Sequence, residues 1–85
     1  VVGNGMKEQA VQTLANMKAV LEAAGLAVTD IAKTTVFVTN MDDFAAFNEV
    51  YAAFMGEHRP ARVCVEVSNI AHGCLLEMDA ICFKE

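Results

Sequence analysis

The sequence predicts an α/β (α+β) domain with element order α-β-α-β-β, in which two helices pack on one face of a small sheet. Three observations predict it. Apolar residues recur at helical spacing over 6–24 and again over 43–55. A β-branched run at 33–39 lies between them. Two further strand-like runs follow Pro60. Eighty-five residues make one domain at most.

Gly3-Asn4-Gly5 reads as a turn, with Asn4 or Gly5 capping the helix that follows and Glu8 in its first turn. Over Met6–Ala24, the residues Ala10, Leu14, Met17, Leu21 and Ala24 form one apolar stripe, and Gly25 is a natural stop. Leu26–Asp30 is a connection in which Thr29 or Asp30 starts a single turn. Lys33–Thr39 is a strand, apolar on both faces in its second half, as an interior strand is. Asn40-Met41-Asp42-Asp43 punctuates the chain and offers an N-cap. Asp43–Met55 is the second helix, with Phe44, Phe47, Tyr51 and Phe54 along one face. Such an aromatic stripe is core material, because aromatics dominate core energetics. Gly56 ends it, and Pro60 disfavours helix at Arg59. Arg62–Ser68 is a strand, Asn69–Gly73 a loop, and Cys74–Phe83 the last strand.

Composition bounds the function. Net charge is −5, with six Lys plus Arg and no basic run, which argues against nucleic acid as the main partner. The three cysteines, Cys64, Cys74 and Cys82, form no C-x-x-C pair, and His58 and His72 stand alone, so neither a disulfide framework nor a metal site is expected. Reduced, mostly buried thiols fit a cytoplasmic protein. No apolar run approaches the roughly 20 residues that span a bilayer, and no signal peptide is visible. With 55% hydrophobic and 20% charged residues, the chain holds more apolar surface than one small core uses. A second apolar face covered by further copies of the chain, in a homo-oligomer, accounts for the surplus.

The candidate site lies on the last two strands. Alternation puts Arg62, Cys64, Glu66 and Ser68 on one strand face, with Val63, Val65 and Val67 on the other as the expected core face. Glu77 and Asp79 share a face of the last strand. Pairing the two strands polar face to polar face places Cys64 opposite Glu77 and makes Arg62 and Glu77 diagonal neighbours. Arg62 offers a planar fork that fits a carboxylate, and Glu77 is a candidate to position or activate a water. On spacing alone a plain cross-strand salt bridge is the simpler account of the pair. Asn48, one turn after Phe44, points into a cleft or sits at its rim. Cys64 has no obvious histidine partner and reads as a strand thiol rather than a nucleophile.

Several stretches, in order along essentially all 85 residues, resemble the RidA (YjgF/YER057c/UK114) family. They are Glu8-Gln9 through Leu21-Glu22-Ala23-Ala24-Gly25, Lys33-Thr34-Thr35-Val36-Phe37-Val38 and Asp43-Phe44 through Asn48-Glu49-Val50-Tyr51. Pro60-Ala61-Arg62, Val65-Glu66-Val67 and Leu76-Glu77-Met78-Asp79-Ala80-Ile81 continue the match. The resemblance implies a chorismate-mutase-like fold, a homotrimer with ligand clefts between subunits, and no cofactor. It implies hydrolysis of reactive 2-imino or enamine acids, such as 2-aminoacrylate/2-iminopropanoate and 2-iminobutanoate, to 2-keto acids and ammonia. It assigns Arg62 to the substrate carboxylate, Glu77 to the water, Cys64 to the ligand's vicinity through its backbone, and Asn48 to the cleft. Family members begin with two further strands that carry a tyrosine and a serine/glycine segment of the cleft. Those have no counterpart here, so the expectation is a single domain over 1–85, shortened at its N-terminus. Two alternatives share the scaffold: a non-catalytic regulator that binds small carboxylates, and an endoribonuclease or translation inhibitor, which the acidic balance disfavours. The short connection Gly56-Glu57-His58-Arg59 also puts an extra arginine beside the motif.

Overall fold

The computed structural model describes residues 5–84. The expected turn at Gly3-Asn4 lies outside them. Two helices and three strands follow in the expected order: α1 (Met6–Ala23), β1 (Ile31–Val38), α2 (Phe44–Met55), β2 (Ala61–Glu66) and β3 (Leu76–Cys82). Short 3-10 turns precede β1, α2 and β3. Gly25 and Gly56, just beyond the two helices, both have positive φ, the backbone state in which a side chain is strained. Asn40 accepts a hydrogen bond from Asp42 N–H at 3.0 Å and fixes the turn that leads into α2.

The sheet order is β2-β1-β3, with β1 parallel to β2 and antiparallel to β3. This corrects the expected pairing of the last two strands. A hairpin between β2 and β3 would use the nine-residue connection between them, but the central place goes to β1, the strand apolar on both faces. Strand β2 reaches β1 through α2, as parallel neighbours require a crossover.

The core lies between the helices and one sheet face. Ala10, Leu14 and Leu21 of α1 and Phe47, Tyr51 and Met55 of α2 meet Val36, Val38, Leu76 and Met78 of the sheet. Ala24, expected at the end of the α1 stripe, is exposed because the helix has already ended. In β1 the buried residues are Ile31, Thr34, Val36 and Val38, and a register shift between Ile31 and Lys33 breaks strict alternation.

A second correction concerns β2. Val63 and Val65, expected in the core, are 43% and 38% exposed, whereas Cys64 packs against the core cluster. The face of Arg62 and Cys64 is the helix side of the sheet. The valines face the open side, with Phe37 and Glu77 at the register position of Val65. The expected open apolar face therefore exists, and Val63, Val65 and Ile81 (62% exposed) lie on it. Among the described residues no helix is long and apolar enough to cross a membrane.

Candidate active site

Arg62, the second residue of β2, lies beside Thr34 of β1, on the side of the sheet covered by α2. Its guanidinium lies over two rings of α2, with Cζ 4.7 Å from the Tyr51 ring centre and 5.1 Å from that of Phe44. Stacking on aromatic faces suits the planar, weakly hydrated guanidinium. Asn48, between those aromatics on α2, accepts a hydrogen bond from Arg62 Nη1 at 2.5 Å. The helix repeat puts Phe44, Asn48 and Tyr51 on one flank of α2, so three side chains of one element hold one arginine.

Tyr51 is itself anchored. Its hydroxyl lies 2.8 Å from Thr34 Oγ1, and Thr34 is fully buried. Each hydroxyl satisfies the other, which a buried polar pair needs. Its ring also packs on Phe47, with centres 5.5 Å apart. The stripe read as core is thus core at Phe47 and a platform at Phe44 and Tyr51. Spacing marks the stripe; only the position of β2 shows that an arginine rests on it.

Arg62, Asn48 and Tyr51 line a cavity of about 460 Å³ with His58, Arg59 and Pro60. His58 Nε2 donates to the Ile31 carbonyl at 2.8 Å, which ties the loop after α2 to the start of β1. Cys64 lies one pleat along from Arg62, at the register position of Val36. Burial pushes its thiol above the ordinary range, and the nearby Arg62 guanidinium opposes this in part. It is therefore a neutral thiol at neutral pH, in keeping with the reading against a nucleophile.

Glu77 is not beside Arg62 in this chain. It faces the open side of β3, at the register position of Phe37 and Val65, while Arg62 faces the helices. The cross-strand salt bridge that spacing favours does not form, because β1 separates the two strands and the residues project to opposite faces. Glu77 instead borders a second, shallower cavity with His72, Cys74 and Asn16. The structure thus brings Arg62, Asn48 and Cys64 together and leaves Glu77 apart. Sequence reasoning missed the pairing of Tyr51 with Thr34, because Thr34 sits between Lys33 and Thr35 in the polar half of its strand and nothing in the sequence marks it as buried.

Two helices on one face of a mixed three-stranded sheet, with an arginine stacked on aromatic rings beside a small cavity, define an α+β protein of RidA/YjgF type. Compared with known proteins, residues 1–84 match the family described as Endoribonuclease L-PSP, and the chain belongs to that family, which includes the RidA/YjgF proteins. It is 49% identical over 85 residues to a RutC family protein of Pyrococcus horikoshii, covering all of this chain and 68% of that protein. It is 51% identical over 79 residues to the 2-iminobutanoate/2-iminopropanoate deaminase of Escherichia coli, covering 89% of this chain and 62% of the deaminase. Its fold superposes on Escherichia coli TdcF, solved with bound serine, with a TM-score of 0.94 at 42% identity, over all of this chain and 69% of TdcF. The chain thus spans about two thirds of the length of these relatives.

Proposed function

We propose that this chain acts as a deaminase that hydrolyses 2-imino acids and their enamine tautomers to 2-keto acids and ammonia. The observation that carries the reading is the state of Arg62: stacked on Tyr51 and Phe44, bonded to neutral Asn48, and facing a cavity of small-molecule size. An arginine so held keeps its charge for an incoming carboxylate and loses little freedom on binding it. The deaminases of Escherichia coli and Salmonella typhimurium, 51% and 48% identical to this chain, support the activity.

In the proposed reaction Arg62 holds the substrate carboxylate, and Asn48 fixes the guanidinium plane. Water adds to the imine carbon: its oxygen forms a bond to carbon, and the C=N π pair passes to nitrogen. Glu77 takes a proton from the water and returns one to the nitrogen. Collapse of the carbinolamine expels ammonia and leaves the keto acid. Cys64 serves through its backbone and the neutral bulk of its side chain. Since Glu77 faces away from Arg62 within one chain, the reading places Glu77 of a neighbouring copy at the Arg62 cavity, in a homotrimer with clefts between subunits. The exposed Val63, Val65 and Ile81 supply apolar surface for that assembly.

The test generates 2-iminobutanoate with an amino-acid oxidase and follows its loss and the release of ammonia. The protein is expected to accelerate both, and Arg62→Ala to lower kcat/KM by about a hundredfold while circular dichroism stays native, as for a charge-assisted bidentate contact. Saturable binding of 2-ketobutyrate without any acceleration refutes the deaminase and favours a non-catalytic small-carboxylate binder.

A further inference from the structure

The cavity at Arg62 is lined by a second arginine, Arg59, that the proposed reaction does not use. We infer that it takes a dianionic substrate, a short 2-imino dicarboxylic acid, with Arg62 on the carboxylate beside the imine and Arg59 on the distal one. The inference rests on the deaminase reading above and names the substrate class of the same site.

Four observations carry it. Arg59 and Arg62 line one cavity of about 460 Å³, and among the described residues that line it there is no Asp or Glu. In a chain of net charge −5, no acid among the described residues of the same protomer lines the space that these two arginines border. The one ion pair among the described residues, Lys7–Glu49 at 3.2 Å, involves neither.

Arg59 is held rather than loose. Its Nη1 donates to the carbonyls of Gly56 and His58, the latter at 3.0 Å. Those bonds use one nitrogen of the fork and leave Nη2 and Nε as uncommitted donors. Helix capping does not account for this arrangement. The carbonyls of Ala52 and Met55 at the end of α2 already accept from the backbone N–H groups of Gly56 and His58, at 3.0 and 3.1 Å.

The spacing of the two arginines is also fixed. Pro60, between them, locks its own φ and holds Arg59 extended. His58 anchors the same loop to the Ile31 carbonyl. Two held arginines that line one small cavity suit a molecule with two anionic groups. A monocarboxylic imine leaves the second fork without an anionic partner.

Calorimetric titration of the full chain with 2-ketoglutarate and with 2-ketobutyrate tests this. The wild type is expected to bind the dicarboxylate about tenfold more tightly or better, the scale of one added charge-assisted hydrogen bond. In Arg59→Ala and Arg59→Gln the ratio of the two dissociation constants is expected to fall towards one. The glutamine retains a donor for the Gly56 and His58 carbonyls, so it separates lost charge from a loosened loop, and thermal melts report on folding of both variants. Equal affinity of the wild type for the two acids, or a preference that survives in Arg59→Gln, overturns the inference. Dicarboxylate preference without hydrolysis of either imine supports the dianion pocket and refutes only the deaminase. Hydrolysis of 2-iminobutanoate without dicarboxylate preference does the reverse.

Discussion

Mixing two impaired variants tests the placement of the site between copies of the chain. Arg62 and Glu77 face opposite sides of the sheet, so a reaction that needs both must draw them from two protomers. Arg62→Ala and Glu77→Gln are each expected to lower imine hydrolysis about a hundredfold. Unfolded together in equal amounts and refolded, they form mixed rings. In a cyclic assembly each site then takes its arginine from one protomer and its glutamate from the next. The arginine is intact in half of the draws and the glutamate in half, so about one quarter of the sites carry both. Activity is expected to return to about one quarter of the wild-type level under the same refolding, against a control in which each variant is refolded alone. The dependence on mixing ratio is parabolic, with its maximum at equal amounts. If the two residues act within one chain, no mixture contains a competent site. A flat baseline at every ratio, with mixed oligomers demonstrated by native mass spectrometry, refutes the argument.

Three further outcomes follow from the same geometry. Tyr51→Phe removes the partner of the fully buried Thr34 hydroxyl, so stability is expected to fall by about 1–3 kcal/mol, read as a lower denaturant midpoint at unchanged slope. Asn48→Asp sets a carboxylate against Arg62 in place of a neutral amide, and the internal ion pair is expected to compete with the substrate's carboxylate and raise KM about tenfold; an unchanged KM refutes the role given to Asn48. Burial raises the Cys64 thiol pKa in the fold, so its native form keeps the proton at a pH where the unfolded chain has begun to lose it. The midpoint of its alkylation rate, mapped by mass spectrometry, is therefore expected to lie higher in the native chain than in urea, and a lower native midpoint refutes this.

Local patterning made the elements legible. The stripes on α1 and α2, the β-branched run of β1 and the stops at Gly25, Gly56 and Pro60 gave each element to within a few residues. Pairing was not legible, because alternation constrains the parity of a register and says nothing about which strand lies beside which. The faces of β2 inverted for a related reason. Val63, Val65 and Val67 look like a core face only if every apolar row is buried within the chain. Here the open sheet side carries an apolar row too, and the helix side at the edge strand carries an arginine. Of the residues marked from the sequence, Asn48 bonds Arg62, Cys64 lies one pleat along from it, and Glu77 stands apart. The aromatic platform was visible as a stripe but not as a support, since that depends on which strand end α2 covers.

The absence of the expected salt bridge strengthens the case for Arg62 as an anchor. An arginine paired with a carboxylate of its own chain must give up that partner before it can hold a substrate, and the exchange of one carboxylate for another gains little. Asn48 orients the guanidinium without cancelling its charge, and the rings of Tyr51 and Phe44 restrict its plane while leaving the edge that carries the donors open. Keeping Glu77 on the other face also leaves it out of any ion pair with Arg62 of its own chain. In the proposed reaction the two groups come together only when a second protomer closes the cleft. On this view oligomerisation assembles the site as well as covering the apolar sheet face.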